Sequence, residues 1–219
     1  MKFYGGRRMK FENDQMNDFL GKLASNSPVP GGGGAAALTS ALSVALSSMV
    51  FNLTIGKKSY DNLNKEEQDK VQNSLDCATL KLKEFQQFIN KDGEAFLALM
   101  ESYKLPKETE EDKEERRKRI LEGLNNAMMV PFTLMKETVQ FMEHILNAAR
   151  FGNPNVISDA GVSAILAKAS VESSYLNVMI NLKSLKDANK EIVEQESKAL
   201  LAKAENIKNE IMTIVYDKL

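Results

Sequence analysis

In a chain where 27% of residues are charged, the stretch from Leu23 through Gly56 carries no charge at all. Such a run constrains the fold more than any other feature, because it has to be buried in protein or in lipid. It opens with Pro28-Val29-Pro30-Gly31-Gly32-Gly33-Gly34 and continues as an apolar helix expected over residues 35–55. Two prolines pin the approach, and the glycines permit backbone geometries that a side chain forbids. Where such a loop opens into a helix, unpaired N–H groups and the positive end of the helix dipole converge. That is a place for an anion or a carbonyl-rich ring. Two readings stand on these residues: a flexible helix entry, or the floor of a ligand pocket. Neither a P-loop nor a Rossmann turn fits, since no Gly-Lys-Ser/Thr follows the glycines and no strand pattern precedes them.

The neutral helix is long enough to cross a bilayer. Its Thr39, Ser40, Ser43, Ser47, Ser48, Asn52 and Thr54 argue instead for a central helix buried in protein, and no second span follows. Leu38, Leu42, Ala45, Met49 and Leu53 make an apolar stripe beside a face of hydroxyls, and the many Ala and Ser residues permit close helix contact. Net charge is −1 with both signs mixed, so neither nucleic acid nor a membrane is expected as a partner. A lone cysteine, Cys77, excludes an internal disulfide and suits a reducing, cytoplasmic setting. His144 is the only histidine, which argues against a histidine-rich metal site and a Ser-His-Asp triad. Met-Lys-Phe recurs at Met9, so residues 1–8 read either as a leader or as an added segment foreign to the natural protein, and residues 9–219 as one domain.

Every long segment carries a helical period and none alternates like a strand, which predicts an all-α bundle of about six helices. Asn64 with Glu67 and Thr109 with Asp112 have capping-box spacing. Pro131 is expected to kink or restart the helix that contains it. Helices this long, with continuous stripes, predict a homodimer joined through helix faces. A fifth helix bears Val162, Leu166, Ala169, Leu176 and Ile180, with Asn177 and Asn181 one turn apart.

The helix after Asn64 steps through Val71, Leu75, Ala78, Leu82, Phe85, Ile89, Asp92, Phe96, Leu99 and Tyr103 at spacings of four and three. Only Asp92 among them is charged. A carboxylate in an apolar stripe is costly unless paired, hydrogen-bonded or protonated, and desolvation raises its pKa toward the range where general acid/base catalysis works best. The competing reading is a register slip at Gly93 that swings Asp92 out to solvent. Ser158-Asp159 reads as an N-cap, or, with Asn153 and Asn155, as a set of hydrogen-bonding groups for a heteroaromatic ring. Lys57 complements the dipole at the end of the neutral helix.

Taken together, these blocks resemble one family. Pro28-Val29-Pro30-Gly31-Gly32-Gly33 before an Ala-rich helix, then Met49-Val50, Leu53-Thr54 and Gly56-Lys57-Lys58, is similar to the opening of the formiminotetrahydrofolate cyclodeaminase / methenyltetrahydrofolate cyclohydrolase family. Asp92-Gly93-Glu94-Ala95-Phe96, Leu105-Pro106-Lys107, Ala127 with Val130-Pro131, Gly152-Asn153 to Ser158-Asp159, and Asn177 to Asn181-Leu182 follow in that family's order. Gly34 stands where a serine is expected.

The resemblance implies an all-helical homodimer acting on folate-bound one-carbon units, with a tetrahydrofolate derivative as substrate and no metal or separate cofactor. It makes Gly31, Gly32, Gly33, Gly34, Lys57, Asn153, Asn155, Ser158, Asp159 and Asn181 pocket residues and leaves Asp92 as the acid/base group. Bifunctional relatives carry a formiminotransferase domain ahead of this one, so a separate formiminotransferase is an expected partner. The first expectation is conversion of 5-formiminotetrahydrofolate to 5,10-methenyltetrahydrofolate and ammonia, with methenyltetrahydrofolate cyclohydrolase as the alternative. The rival from another class is a non-catalytic helical dimer or ligand-binding module.

Overall fold

In a computed structural model of the chain, residues 15–185 and 190–219 are described, and the leader expected over residues 1–8 lies outside them. Among the described residues there are seven α-helices and no strand. These are α1 (Met16–Leu23), α2 (Gly32–Asn52), α3 (Lys58–Asp61), α4 (Lys65–Ser102), α5 (Glu110–Phe151), α6 (Ile157–Ser184) and α7 (Lys190–Lys218), with a 3-10 turn at Pro154–Val156. The helical period therefore reports the architecture correctly. It undercounts by the one-turn α3, which is too short to carry a stripe.

Both capping boxes form: Asn64 and Glu67 exchange side-chain bonds with each other's backbone N–H, as do Thr109 and Asp112. Helix α4 runs unbroken through Gly93, and α5 runs unbroken through Pro131 rather than restarting there. Helix α2 is the core helix. Its Ala36, Ala37, Val44, Val50 and Phe51 are buried among α4, α5 and α6. By length and composition it could span a bilayer, yet over half of its most apolar window is buried inside the protein.

The stripes of α2 and α6 face the other way from a simple periodic reading. Leu42, Met49 and Leu53 are exposed, and so are Val162, Ile165, Leu176 and Ile180. Small and hydroxylated residues fill the inner faces instead. Ser40 Oγ lies 2.6 Å from Ser170 Oγ and 2.7 Å from Thr138 Oγ1. Ser43 Oγ donates to the Ser163 carbonyl at 2.8 Å, and Ser170 Oγ donates to the Ala36 carbonyl at 2.7 Å. Short side chains let the antiparallel α2 and α6 backbones approach closely, and the hydroxyls of Ser40, Ser43, Ser47, Ser163 and Ser170 find partners in this seam, which offsets their desolvation; the buried Ser174 Oγ, further along α6, has none. The large residues are left outside because the seam has no room for them.

Candidate functional site

The glycine run is not a loop ahead of the helix. Gly31 is the N-cap and Gly32, Gly33 and Gly34 form the first turn of α2. The reason lies across the interface in α4. A Cβ on Gly33 would sit 1.9 Å from Asp92 Oδ1, so only glycine lets the carboxyl lie flat against the helix backbone. Asp92 Oδ2 accepts the Gly34 N–H at 3.1 Å. Gly32 and Gly33, as the first residues of a helix, have N–H groups with no intrahelical acceptor. A side chain at Gly34 would meet the Pro30 ring at 3.3 Å, which suits glycine where the family pattern led us to expect serine.

Asp92 is half-buried and faces a cleft of about 290 Å³ lined by Gly31, Gly32, Gly33, Val29, Phe96, Ala127 and the α6 residues Asn177, Ile180 and Asn181; Gly34, expected in the pocket, is buried behind it and reaches it only through its N–H to Asp92. Burial pushes the Asp92 carboxyl above the ordinary carboxylate range, and the Gly34 N–H partly counters this. Among the described residues no cation neutralises it. Among the described residues no cluster of His, Cys, Asp and Glu has the makings of a metal site.

Across the cleft, Asn181 Nδ2 donates to the Ala127 carbonyl and to the Asn177 carbonyl, both at 2.9 Å. Asn177 Nδ2 donates to the Ser173 carbonyl at 2.8 Å, and its amide group lies 3.4 Å from where a Cβ on Gly32 would be. The cleft thus sets amide donors at the mouth of α2 against amide acceptors on α6, with one desolvated carboxyl between them.

The remaining expected pocket residues are elsewhere. Lys57, Asn153, Asn155, Ser158 and Asp159 all lie beyond the C-terminal end of α2, about 30 Å along a 21-residue helix from the glycine turn. Within one chain, therefore, they do not share a pocket with Asp92. Their local bonds account for them. Asn153 N–H donates to Thr54 Oγ1 at 2.8 Å, its Nδ2 donates to the Leu53 carbonyl at 2.9 Å, and its Oδ1 accepts the Asn155 N–H. Ser158 and Asp159 are not the N-cap; they sit in the first turn of α6, after Val156 in the capping position. Lys57 is the exposed N-cap residue of α3.

Sequence reading alone missed Val29, Phe96, Ala127 and Ile180 as cleft residues. Phe96 had a signal, being one helical turn from Asp92 on the same face. Ala127 had another, four residues ahead of Pro131.

Fold and site together define an all-helical protein with a glycine-mouthed, largely uncharged cleft that holds a single half-buried carboxyl. The chain belongs to the formiminotransferase-cyclodeaminase family, whose sequence model matches residues 15–202. It is 39% identical over 208 residues to a methenyltetrahydrofolate cyclohydrolase of Methylorubrum extorquens, covering 94% of this chain and 98% of that one. It is 32% identical to the formimidoyltransferase-cyclodeaminase of Mus musculus over 83% of this chain, and spans only 33% of that longer protein. The crystal structure of a formiminotetrahydrofolate cyclodeaminase from Thermotoga maritima superposes with a TM-score of 0.81 at 25% identity, covering 94% of this chain and 98% of that one.

Proposed function

We propose that this protein is a methenyltetrahydrofolate cyclohydrolase, adding water to the carbon that bridges N5 and N10 of 5,10-methenyltetrahydrofolate. The observation that carries this reading is the near end-to-end match to a relative of that name at 39% identity. It reverses the order expected from sequence, where cyclodeamination came first. The geometry suits either reaction, because both pass through a tetrahedral carbon between the same two nitrogens and both need one proton moved.

In hydrolysis, Asp92 takes a proton from the attacking water as its oxygen bonds to the bridging carbon. It then returns that proton to the nitrogen that leaves as the C–N bond breaks, while the remaining hydroxyl proton is released to solvent as the C=O forms, and formyltetrahydrofolate results. A carboxyl whose pKa burial has raised exchanges a proton near neutrality more readily than an ordinary aspartate. The Gly32 and Gly33 amides meet the ring carbonyl, and the α6 asparagines meet its N–H edge.

The test is loss of the methenyl chromophore on adding purified protein. A rate that does not exceed the uncatalysed hydrolysis defeats the proposal. Cyclodeamination is the second reading, favoured by the Thermotoga maritima cyclodeaminase, which also matches over nearly its whole length. It predicts appearance of the same chromophore, with ammonia, from 5-formiminotetrahydrofolate.

We also infer a homodimer joined through the outer face of α2 and α6. That face exposes Leu42, Met49, Val162, Ile165, Leu176 and Ile180, and α2 brings no charge to it. A dyad perpendicular to α2 sets the two α2 helices antiparallel, so the Lys57 end of a second copy comes beside the glycine turn of the first. This arrangement restores Lys57, Asn153, Asn155, Ser158 and Asp159 to the substrate site, and it enlarges a cleft that is small for a folate.

A further inference from the structure

Pro131 lies inside α5 and has no N–H, so the carbonyl four residues earlier, that of Ala127, loses its helical donor. Asn181 supplies one from α6, and Ala127 lines the cleft beside it. The second hydrogen of the Asn181 amide goes to the Asn177 carbonyl. Both partners are carbonyl oxygens, which only accept, so the atom facing them has to be nitrogen. With both hydrogens spent, Asn181 meets a ligand only through Oδ1, which accepts and never donates. Asn177 repeats the pattern one turn earlier, its Nδ2 held by the Ser173 carbonyl.

We propose that Asn181, oriented by the proline-orphaned Ala127 carbonyl, is a specificity-determining residue that reads an N–H donor on the ligand, namely the 2-amino group of the reduced pterin ring. The claim rests on the folate reading above. A 2-amino-4-oxopyrimidine edge presents a carbonyl acceptor beside N–H donors. The cleft offers the complement: the free amides of Gly32 and Gly33 on one side, and fixed amide oxygens on the other. Asn177 is placed where the two sets meet, its amide 3.4 Å from the position of a Gly32 Cβ. The asparagine does not move a proton. It selects and aligns the ring whose N5–N10 bridge then lies at Asp92.

The experiment crosses a change in the protein with a change in the ligand. Equilibrium binding of 5-formyltetrahydrofolate and of its 2-desamino-2-methyl analogue is measured on the wild type, Asn181→Leu, and Pro131→Ala/Asn181→Leu. The double variant returns an N–H to the Ala127 carbonyl, so a folding defect in the single variant does not end the test. The wild type is expected to prefer the amino compound about tenfold, the usual worth of one hydrogen bond in a partly buried site. In both variants the two compounds bind equally.

Pro131→Ala alone gives Ala127 a backbone donor, frees Asn181 to turn, and narrows the preference. Full retention of the wild-type preference in either Asn181 variant overturns the proposal, as does a wild type that binds both compounds alike. A wild type that binds neither compound defeats the folate reading itself, and this proposal with it.

Discussion

The two ends of α2 are built to opposite rules. At its C-terminal end, polar groups are closed off against one another. Thr54 Oγ1 donates to the Val50 carbonyl and accepts the Asn153 N–H, Asn153 Nδ2 takes the Leu53 carbonyl, and Lys218 Nζ caps the Ala149 and Arg150 carbonyls of α5 nearby. At the N-terminal end, Asp92 has one hydrogen bond and no cation among the described residues, and the first amides of the helix have no intrahelical acceptor. A helix end that is tied shut stabilises the fold, whereas one left open at a desolvated carboxyl stores binding capacity. The contrast marks the glycine end as the chemical one within a single chain.

The sharpest way to break this contrast is Asp92→Asn. If Asp92 carries the proton, turnover falls on the order of a hundredfold or more while binding of 5-formyltetrahydrofolate is kept. The same change should raise stability, with a definite pH dependence. Below the ordinary aspartate range both folded and unfolded chains hold the proton, and the carboxyl costs nothing. As pH climbs through that range the unfolded chain ionises first, because burial raises the native pKa, and wild-type stability falls until Asp92 ionises in turn. The melting-temperature advantage of Asp92→Asn is therefore small near about pH 4 and grows toward neutrality. An advantage that is flat with pH would mean the carboxyl is not desolvated in solution.

Gly33→Ala comes next. The added Cβ displaces the carboxyl it would meet at 1.9 Å, so turnover should fall about thirtyfold as the proton donor moves off line. Asp92→Asn in the same background should then cost little further. Two penalties that simply multiply would show that glycine serves something other than Asp92.

The proposed dimer is tested by Ile165→Lys, which places a charge in the exposed α2/α6 face. Sedimentation should shift from dimer to monomer, and turnover should drop about tenfold if the second copy aligns the substrate. A monomer with full activity would confine the site to one chain.

Sequence made some of this legible and hid the rest for identifiable reasons. Capping is local, so Asn64 with Glu67 and Thr109 with Asp112 could be placed from spacing alone. Asp92 stood out because one charge in a ten-position stripe has few explanations. The inward faces of α2 and α6 were illegible because both helices are apolar nearly all round. Periodicity reports that a face exists, and only the close approach at Ser40, Ser43, Ser163 and Ser170 decides which side turns inward. Asn153 through Asp159 were grouped with the glycines because blocks of sequence carry no distance, and α2 puts its whole length between them. The role of Asn181 was out of reach for another reason. It depends on a carbonyl orphaned by Pro131 in a different helix, 54 positions away.

The smallest expected effect tests the closed end. Thr54→Val keeps the shape of a buried side chain but removes the oxygen that holds the Asn153 N–H. Leaving that amide without its acceptor costs about 1–2 kcal/mol, read as a lower melting temperature or denaturation midpoint. If the closed end is purely structural, kcat and KM stay within about twofold, since nothing that touches the Asp92 cleft has changed. If instead the dimer carries this end into the neighbouring copy's site, loosening the Asn153 loop raises KM with kcat held, and Lys57→Ala does the same without the loss of stability. Only the second pattern shows that the structural end of one copy completes the chemical end of the other.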